Sequence, residues 1–274
     1  MNRLSLEKRT QITALLVEGN SLRATSRIAD CSVITVMKFL VDIGTACREY
    51  HDQHVRNLMS KRVECDEIWS FVYAKKDNVP EGLKGQFGFG DVWTWTALDA
   101  NSKLIISWLV GERNAGCADA FMRDVASRLS SRVQMTTDGL KAYLDAVEGA
   151  FGADIDFAQL VKIYGDAPEG EKRYSPPKCN GTKKDRIMGN PNLKHISTSY
   201  VERQNLTMRM HTRRFTRLTN AFSKKVQNHE HAIALHFMHY NFVRIHQTLR
   251  VTPAMEAKIT GKLWSMEDLA KLAD

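Results

Sequence analysis

The stretch Val63-Glu64-Cys65-Asp66-Glu67-Ile68-Trp69-Ser70-Phe71-Val72 decides how this chain is organised. Its β-forming residues and partial alternation predict a strand, and Asp66 sits inside an otherwise apolar run. Downstream, a polar stretch and a Lys-Gly-Gln-Phe-Gly-Phe-Gly loop at 84–90 lead to two strands, 92–98 and 104–110. Asp99-Ala100-Asn101-Ser102 between them reads as an antiparallel hairpin turn. Phe121, Val125 and Leu129 mark one side of a helix over 117–129. A fourth strand, 133–137, runs straight into Asp138-Gly139. A helix over 142–151 and a strand over 157–163 follow.

Upstream, Leu6, Ile12, Leu15, Leu16 and Val17 approximate a helical stripe ending at Gly19. A second helix over 22–29 and a third over 32–44, opened by Ser32 as N-cap, flank a break at Asp30-Cys31-Ser32. Such a pair is the helix-turn-helix pattern, whose second helix enters a DNA major groove. Val33, Val36 and Leu40 then pack inward, and Ser32, Thr35 and Lys38 face the groove. After 163, the segment 165–193 holds four of the six prolines and many lysines and arginines, too polar for core. Helices are expected again over 197–219 and 222–244, with a last one over 266–272 capped by Ser265.

Three strands, helix, strand, helix, strand is the order of an RNase H-like α/β domain, a mixed sheet flanked by helices. Here it carries an N-terminal all-α helix-turn-helix head and a helical, basic C-terminal region. The expected division is a head at 1–50, a linker at 51–61 and a catalytic domain at 62–274, with the Pro/Lys-rich insertion at 165–193.

With 274 residues, 43% hydrophobic and 26% charged, the composition is that of a globular protein and excludes a fibre or a wholly disordered chain. No apolar run approaches the roughly eighteen residues of a membrane helix. The first ten residues lack the apolar stretch of a secretory signal, so the expectation is a cytoplasmic protein with no membrane partner. Five scattered cysteines with no C-x-x-C pair support neither a disulfide framework nor a zinc site. The net charge is +8. Between Lys194 and Arg250, ten Lys or Arg face two acids, Glu202 and Glu230, a local +8 that suits a surface meeting phosphate backbones.

Three acids are poorly explained as surface charge. Asp66 lies within a strand, Asp138 ends another, and Glu202 lies on a helix in basic surroundings. Converging carboxylates repel one another unless divalent cations hold them, and hard oxygen ligands suit magnesium or manganese. Two such ions about 3.5–4 Å apart can clamp a phosphodiester for in-line attack. Arg209, two helical turns after Glu202, shares its face and could hold a phosphate beside the metals. Glu67, Asp91 and Asp99 are substitutes. Glu67 ranks lower because strand alternation points it away from Asp66.

Glu64-Cys65-Asp66-Glu67-Ile68-Trp69-Ser70, Thr136-Thr137-Asp138-Gly139 and Thr198-Ser199-Tyr200-Val201-Glu202-Arg203-Gln204-Asn205-Leu206-Thr207 resemble the three catalytic blocks of DDE transposases. With the blocks over 213–225 and 240–246, the chain is similar to bacterial insertion sequence one (IS-one type) transposases, from the helix-turn-helix to about Pro253. The resemblance implies Asp66, Asp138 and Glu202 as metal-binding acids and Arg209 as the basic residue that follows the Glu. It implies cleavage at transposon ends by water, then attack of the freed 3′-hydroxyl on target DNA. Its partners would be double-stranded DNA, both terminal inverted repeats and target, and further copies of the chain.

Backbone positioning on DNA is assigned to Arg203, Arg209, Arg213, Arg214, Arg217, Lys224 and Lys225, and base readout to Ser32, Thr35 and Lys38. Two other functions use part of the same features: a DNA-binding regulator or inactive transposase remnant without catalysis, and a metal-dependent DNA endonuclease. His229, His231, His236 and His239 do not share one helical face, which argues against a transition-metal site and for phosphate contacts or solvation. Trp69, Trp93, Trp95 and Trp108 are expected to pack the core and sheet.

Overall fold

The structure, a computed structural model, describes residues 4–165, 179–216 and 220–274. Helices α1 (Leu6–Val17), α2 (Leu22–Ile28) and α3 (Val33–His54) come first. Strands β1 (Arg62–Val72), β2 (Gly90–Asp99) and β3 (Ile105–Gly111) follow, then α4 (Ala115–Arg128), β4 (Val133–Thr137), α5 (Ala142–Phe151) and β5 (Ile155–Tyr164). The chain continues through β6 (Cys179–Met188), α6 (Ser199–His211), α7 (Val226–Met238), α8 (Pro253–Glu256) and α9 (Met266–Lys271). Helix starts follow local chemistry. The side chains of Ser5, Ser21, Ser32 and Asn114 each accept a backbone N–H three residues on, and Ser265 with Asp268 forms a capping box.

Among the described residues one six-stranded sheet forms, in the order β3-β2-β1-β4-β5-β6. β2 runs antiparallel to both β1 and β3, β4 and β5 run parallel to β1, and β6 returns antiparallel. This is the expected α/β architecture, an RNase H-like mixed sheet flanked by helices. One face packs on α4 and α5 through Trp95, Phe121, Val125, Tyr143 and Phe157. The other packs on α6 and α7 through Ile68, Leu98, Val201, Met208 and Phe237. Each such side chain contributes about 1.5–3 kcal/mol by leaving water. Trp95 is fully buried and Trp108 packs against Phe237, as expected of core tryptophans.

Three expected elements differ. The third helix does not stop at Gly44 but continues to His54, so the expected boundary at 50 falls inside it and the linker at 51–61 begins as helix. Gly44 serves close packing instead: a Cβ built there would lie 2.4 Å from the Cβ of His231 on α7. The first core is therefore continuous from Ile12, Val36, Leu40 and Ile43 of the head to Ala234, Leu235 and Met238 of α7. Secondly, the insertion at 165–193 contains β6, whose exposed residues leave no alternating apolar signature. Its residues 166–178 lie outside those described. Thirdly, the helix expected over 197–219 ends at His211, because Phe215 dips into the second core through a short 3₁₀ turn, Arg213–Phe215. No described helix is long and apolar enough to cross a membrane.

Replacing Gly44 by Ala should push α3 and α7 apart and lower stability by about 1–3 kcal/mol. Thermal unfolding of the Gly44→Ala protein checks this, and an unchanged midpoint would mean that the two helices separate there without cost.

Candidate active site

Pairing register brings the acids together. In the parallel β1–β4 ladder Cys65 lies opposite Thr137, so Asp66 and Asp138 occupy the next level. There β4 ends and the chain turns away. The Asp138 carboxylate accepts the N–H of Leu140 at 3.0 Å. Gly139 lets the turn pass close over β5, since a Cβ would sit 3.0 Å from Val161.

Carboxylate oxygens of Asp66, Glu67 and Asp138 lie within 4.8 Å of one another. Glu67, expected to point away from Asp66, therefore belongs to the group. Alternation does send its side chain to the α5 side, where Tyr143 donates to it at 3.1 Å and Arg113 at 2.5 Å. Asp138, however, lies beyond the end of its strand, so no backbone separates the two faces at that level. Arg113 also reaches Asp138 at 3.5 Å. Asp91 is exposed, and Asp99 accepts from Ser60 and the Asn101 amide in the β2–β3 turn, so neither joins the cluster.

Glu202 stands outside that group of three. Its carboxylate accepts from Lys162 of β5 and Thr198, each at 2.5 Å. Helix α6 is nevertheless keyed to β1 at two points that sequence reasoning missed. Oε2 of buried Glu64 accepts the N–H groups of Tyr200 at 2.8 Å and Val201 at 3.1 Å, placing a carboxylate on the first turn of the helix. One turn on, Asn205 donates to Asp66 at 2.7 Å. Glu64 and Asp66 share a strand face and Glu202 and Asn205 a helix face, which was the available signal. Arg209 is half-buried farther along α6.

Burial first, and then the charges of Glu67, Asp138 and Glu202, raise the Asp66 pKa to about 8 against one opposing backbone hydrogen bond. Burial likewise raises Glu64 to about 7, resisted by its two amide donors and by Lys103 and Arg62. Burial and Asp138 raise Glu67. The donor set is all hard oxygen, and the buried Oδ1 of Asn205 has no hydrogen-bond partner beside it. Both properties fit a divalent cation such as magnesium or manganese and argue against soft metals.

The described residues expected at DNA differ in exposure. Ser32 spends its hydroxyl as N-cap of α3 and meets the Thr35 hydroxyl at 2.9 Å, while Lys38 is exposed. Arg203, Arg213, Lys224 and Lys225 are exposed, and Lys224 lies over the Phe222 ring at 4.4 Å. Arg214 turns inward to Ser223 at 2.6 Å, and burial lowers its pKa to about 10. Arg217 lies outside the described residues. A cleft of about 920 Å³ joins Arg23 of the head to Arg213, Arg214 and Lys224. A larger cavity of about 1100 Å³, between α3, β3 and α7, contains none of the clustered acids.

The expectation of phosphate contacts or solvation fails for two histidines. His229 is fully buried between Ser70 and Ser223, and His236 is 4% exposed in the core. Burial holds both near a pKa of about 3, and hence neutral.

No family model matches the chain, and no curated protein matches it. Among solved structures it is similar to the Mos1 transposase paired-end complex with the left transposon end, at 14% identity and a TM-score of 0.24. That match covers 57% of this chain and 60% of the other, so the chain spans about three-fifths of the transposase's length. The Mos1 strand transfer complex matches at 14% identity over 57% and 59%, with a TM-score of 0.26. The Mos1 mariner paired-end complex with Mn matches at 14% over 57% and 60%, with a TM-score of 0.24.

Because the folded Asp66 pKa lies above its ordinary 3.8, the unfolded chain ionises first as pH rises. The stability associated with its neutral form is thus full below about pH 4 and lost as pH climbs to about 8. In the presence of a chelator the thermal midpoint should fall between pH 7 and pH 8.5, and Asp66→Asn should fall less. Equal falls in the two proteins would mean that Asp66 does not carry the effect.

Proposed function

We propose that this chain is a DNA transposase, a DDE-type phosphoryl transferase of the insertion sequence one (IS-one type) kind. It would open a phosphodiester at each transposon end with water and join the freed 3′-hydroxyl to target DNA. The observation that carries the reading is the convergence of Asp66, Glu67 and Asp138 to within 4.8 Å, beside a helix keyed to the same strand and bearing Glu202. Among the described residues, the three clustered carboxylates and Glu202 outnumber the cations seen to pair with them, Arg113 and Lys162. That imbalance favours bound cations and an incoming hydroxyl over structural ion pairing alone.

Asp66, Asp138 and Glu202 are the proposed metal ligands, with Glu67 added. Two magnesium or manganese ions bound there would supply activation of the attacking hydroxyl and stabilisation of the leaving oxygen. The protein's own groups do the rest. Asn205 fixes the Asp66 carboxylate, Arg113 spans Glu67 and Asp138, and Lys162 holds Glu202 in reserve beside them. Arg209 is proposed to hold the phosphate. Backbone contacts are assigned to exposed Arg203, Arg213, Lys224 and Lys225, and base contacts to Ser32, Thr35 and Lys38. Joining two ends in concert calls for a homo-oligomer on DNA.

Strand cleavage and joining on duplexes carrying the inverted repeats that flank the reading frame is the test. Activity should require magnesium or manganese, and Asp138→Asn should lower it at least about a hundredfold, roughly 2.7 kcal/mol in the barrier. Full activity in that variant would remove Asp138 from the site. Cleavage without joining would indicate an endonuclease, and binding without either a regulator or remnant.

A further inference from the structure

We infer that the side of β6 facing α6 is a track for the DNA phosphate backbone, with Lys184 and Arg186 as its contacts. The inference rests on the reading of the chain as acting on DNA, and adds a surface that none of the residues assigned above includes.

Register defines the track. Paired residues of neighbouring strands present their side chains to the same face. Lys162 of β5 reaches Glu202 on α6, so residues 158, 160 and 162 face that helix. Their partners on β6 are Arg186, Lys184 and Thr182. A second route agrees: Glu64, which bonds the start of α6, lies in register with Thr136, then Ala158, then Arg186. One level on, Thr137 pairs with Gln159, which puts Asp138 beside Leu160 and Leu160 opposite Lys184. Lys184 is thus level with Asp66 and Asp138.

Charge is segregated by face. On the far side of β6, Lys183 pairs with Asp185 at 3.0 Å. On the α6 side there are two exposed cations and no acid. Arg186 has no acidic partner among the described residues, and Lys184 donates only to the Leu193 carbonyl, at 2.8 Å. Lysines that merely guard an open sheet edge against pairing need no such sorting. β6 lies three strand spacings from β1, about 14 Å at ~4.8 Å each. That is about four base steps along a duplex at ~3.4 Å per step. A duplex held with one phosphodiester at the acids would bring backbone phosphates over Lys184 and Arg186, while α6 and Lys162 bound the same groove.

The test uses the full chain and a fluorescein-labelled 30-base-pair duplex of arbitrary sequence, with binding followed by anisotropy from 50 to 300 mM NaCl. Lys184→Ala with Arg186→Ala should make the slope of log affinity against log salt shallower by about 1.8, at ~0.9 per lost phosphate contact. Lys183→Ala, on the paired face, should leave it unchanged. Circular dichroism melting checks that each protein is folded, and since both target side chains are exposed, single Lys184→Gln and Arg186→Gln variants serve if the double variant is not. Wild-type binding with an unaltered slope in the Lys184/Arg186 variants overturns the track alone. An equal effect from Lys183→Ala overturns its confinement to one face. Failure of the wild type to bind any duplex overturns the DNA reading itself.

Discussion

Three carboxylates crowd the end of β4, with Glu202 on α6 acting on them through its charge, and among the described residues Arg113 and Lys162 pair with these acids. Asp66, Glu67 and Asp138 repel one another across less than 5 Å, with Glu202 adding its field from α6. Arg113 on one side of the sheet and Lys162 on the other relieve part of that repulsion. The remainder adds to burial, the larger cause, in raising the pKa of Asp66. A core designed only for stability would not keep such a cluster, because apolar residues of similar volume pack there at lower cost. Its persistence inside a well-packed sheet is the physical basis for reading the site as chemical.

The rest of the sheet and its helices hold that cluster open. β1 is the central element: its register with β4 sets the level of Asp66 and Asp138, and its Glu64 seats the start of α6. The Asn205 bond to Asp66 then keeps helix and strand in step. Beneath them, Tyr143 is fully buried with its hydroxyl directed to Glu67, and its pKa lies well above the ordinary value, first through burial and then through Glu67, so it remains a donor. Elements distant in the chain are thereby coupled through hydrogen bonds only a few ångströms long.

The head is coupled to the same frame. α3 packs on α7 through the close approach at Gly44, and α7 in turn covers the second face of the sheet through Ile233 and Phe237. Buried neutral histidines make that packing possible, since His229 trades water for two serine hydroxyls. A basic cleft between the head and the end of α6 follows from this arrangement, which brings Arg23 next to Arg213 and Lys224.

Sequence alone determined the element order as far as β5, most of the helix starts and the candidacy of Asp66 and Asp138. Those features depend on local chemistry: cap side chains, β-forming runs, and an acid placed where an apolar residue is expected. β6 escaped notice because a strand exposed on both faces carries no hydrophobic period, and Gly44 misled because a glycine needed for contact looks like one that ends a helix. Only the tertiary structure decided that Glu67 joins the cluster, that Glu64 and Asn205 tie α6 to β1, and that His229 and His236 are core. Each of these depends on which strand ends where and which helix lies across it, and proximity between residues 60 to 140 positions apart is set by packing, not by any pattern within a single segment.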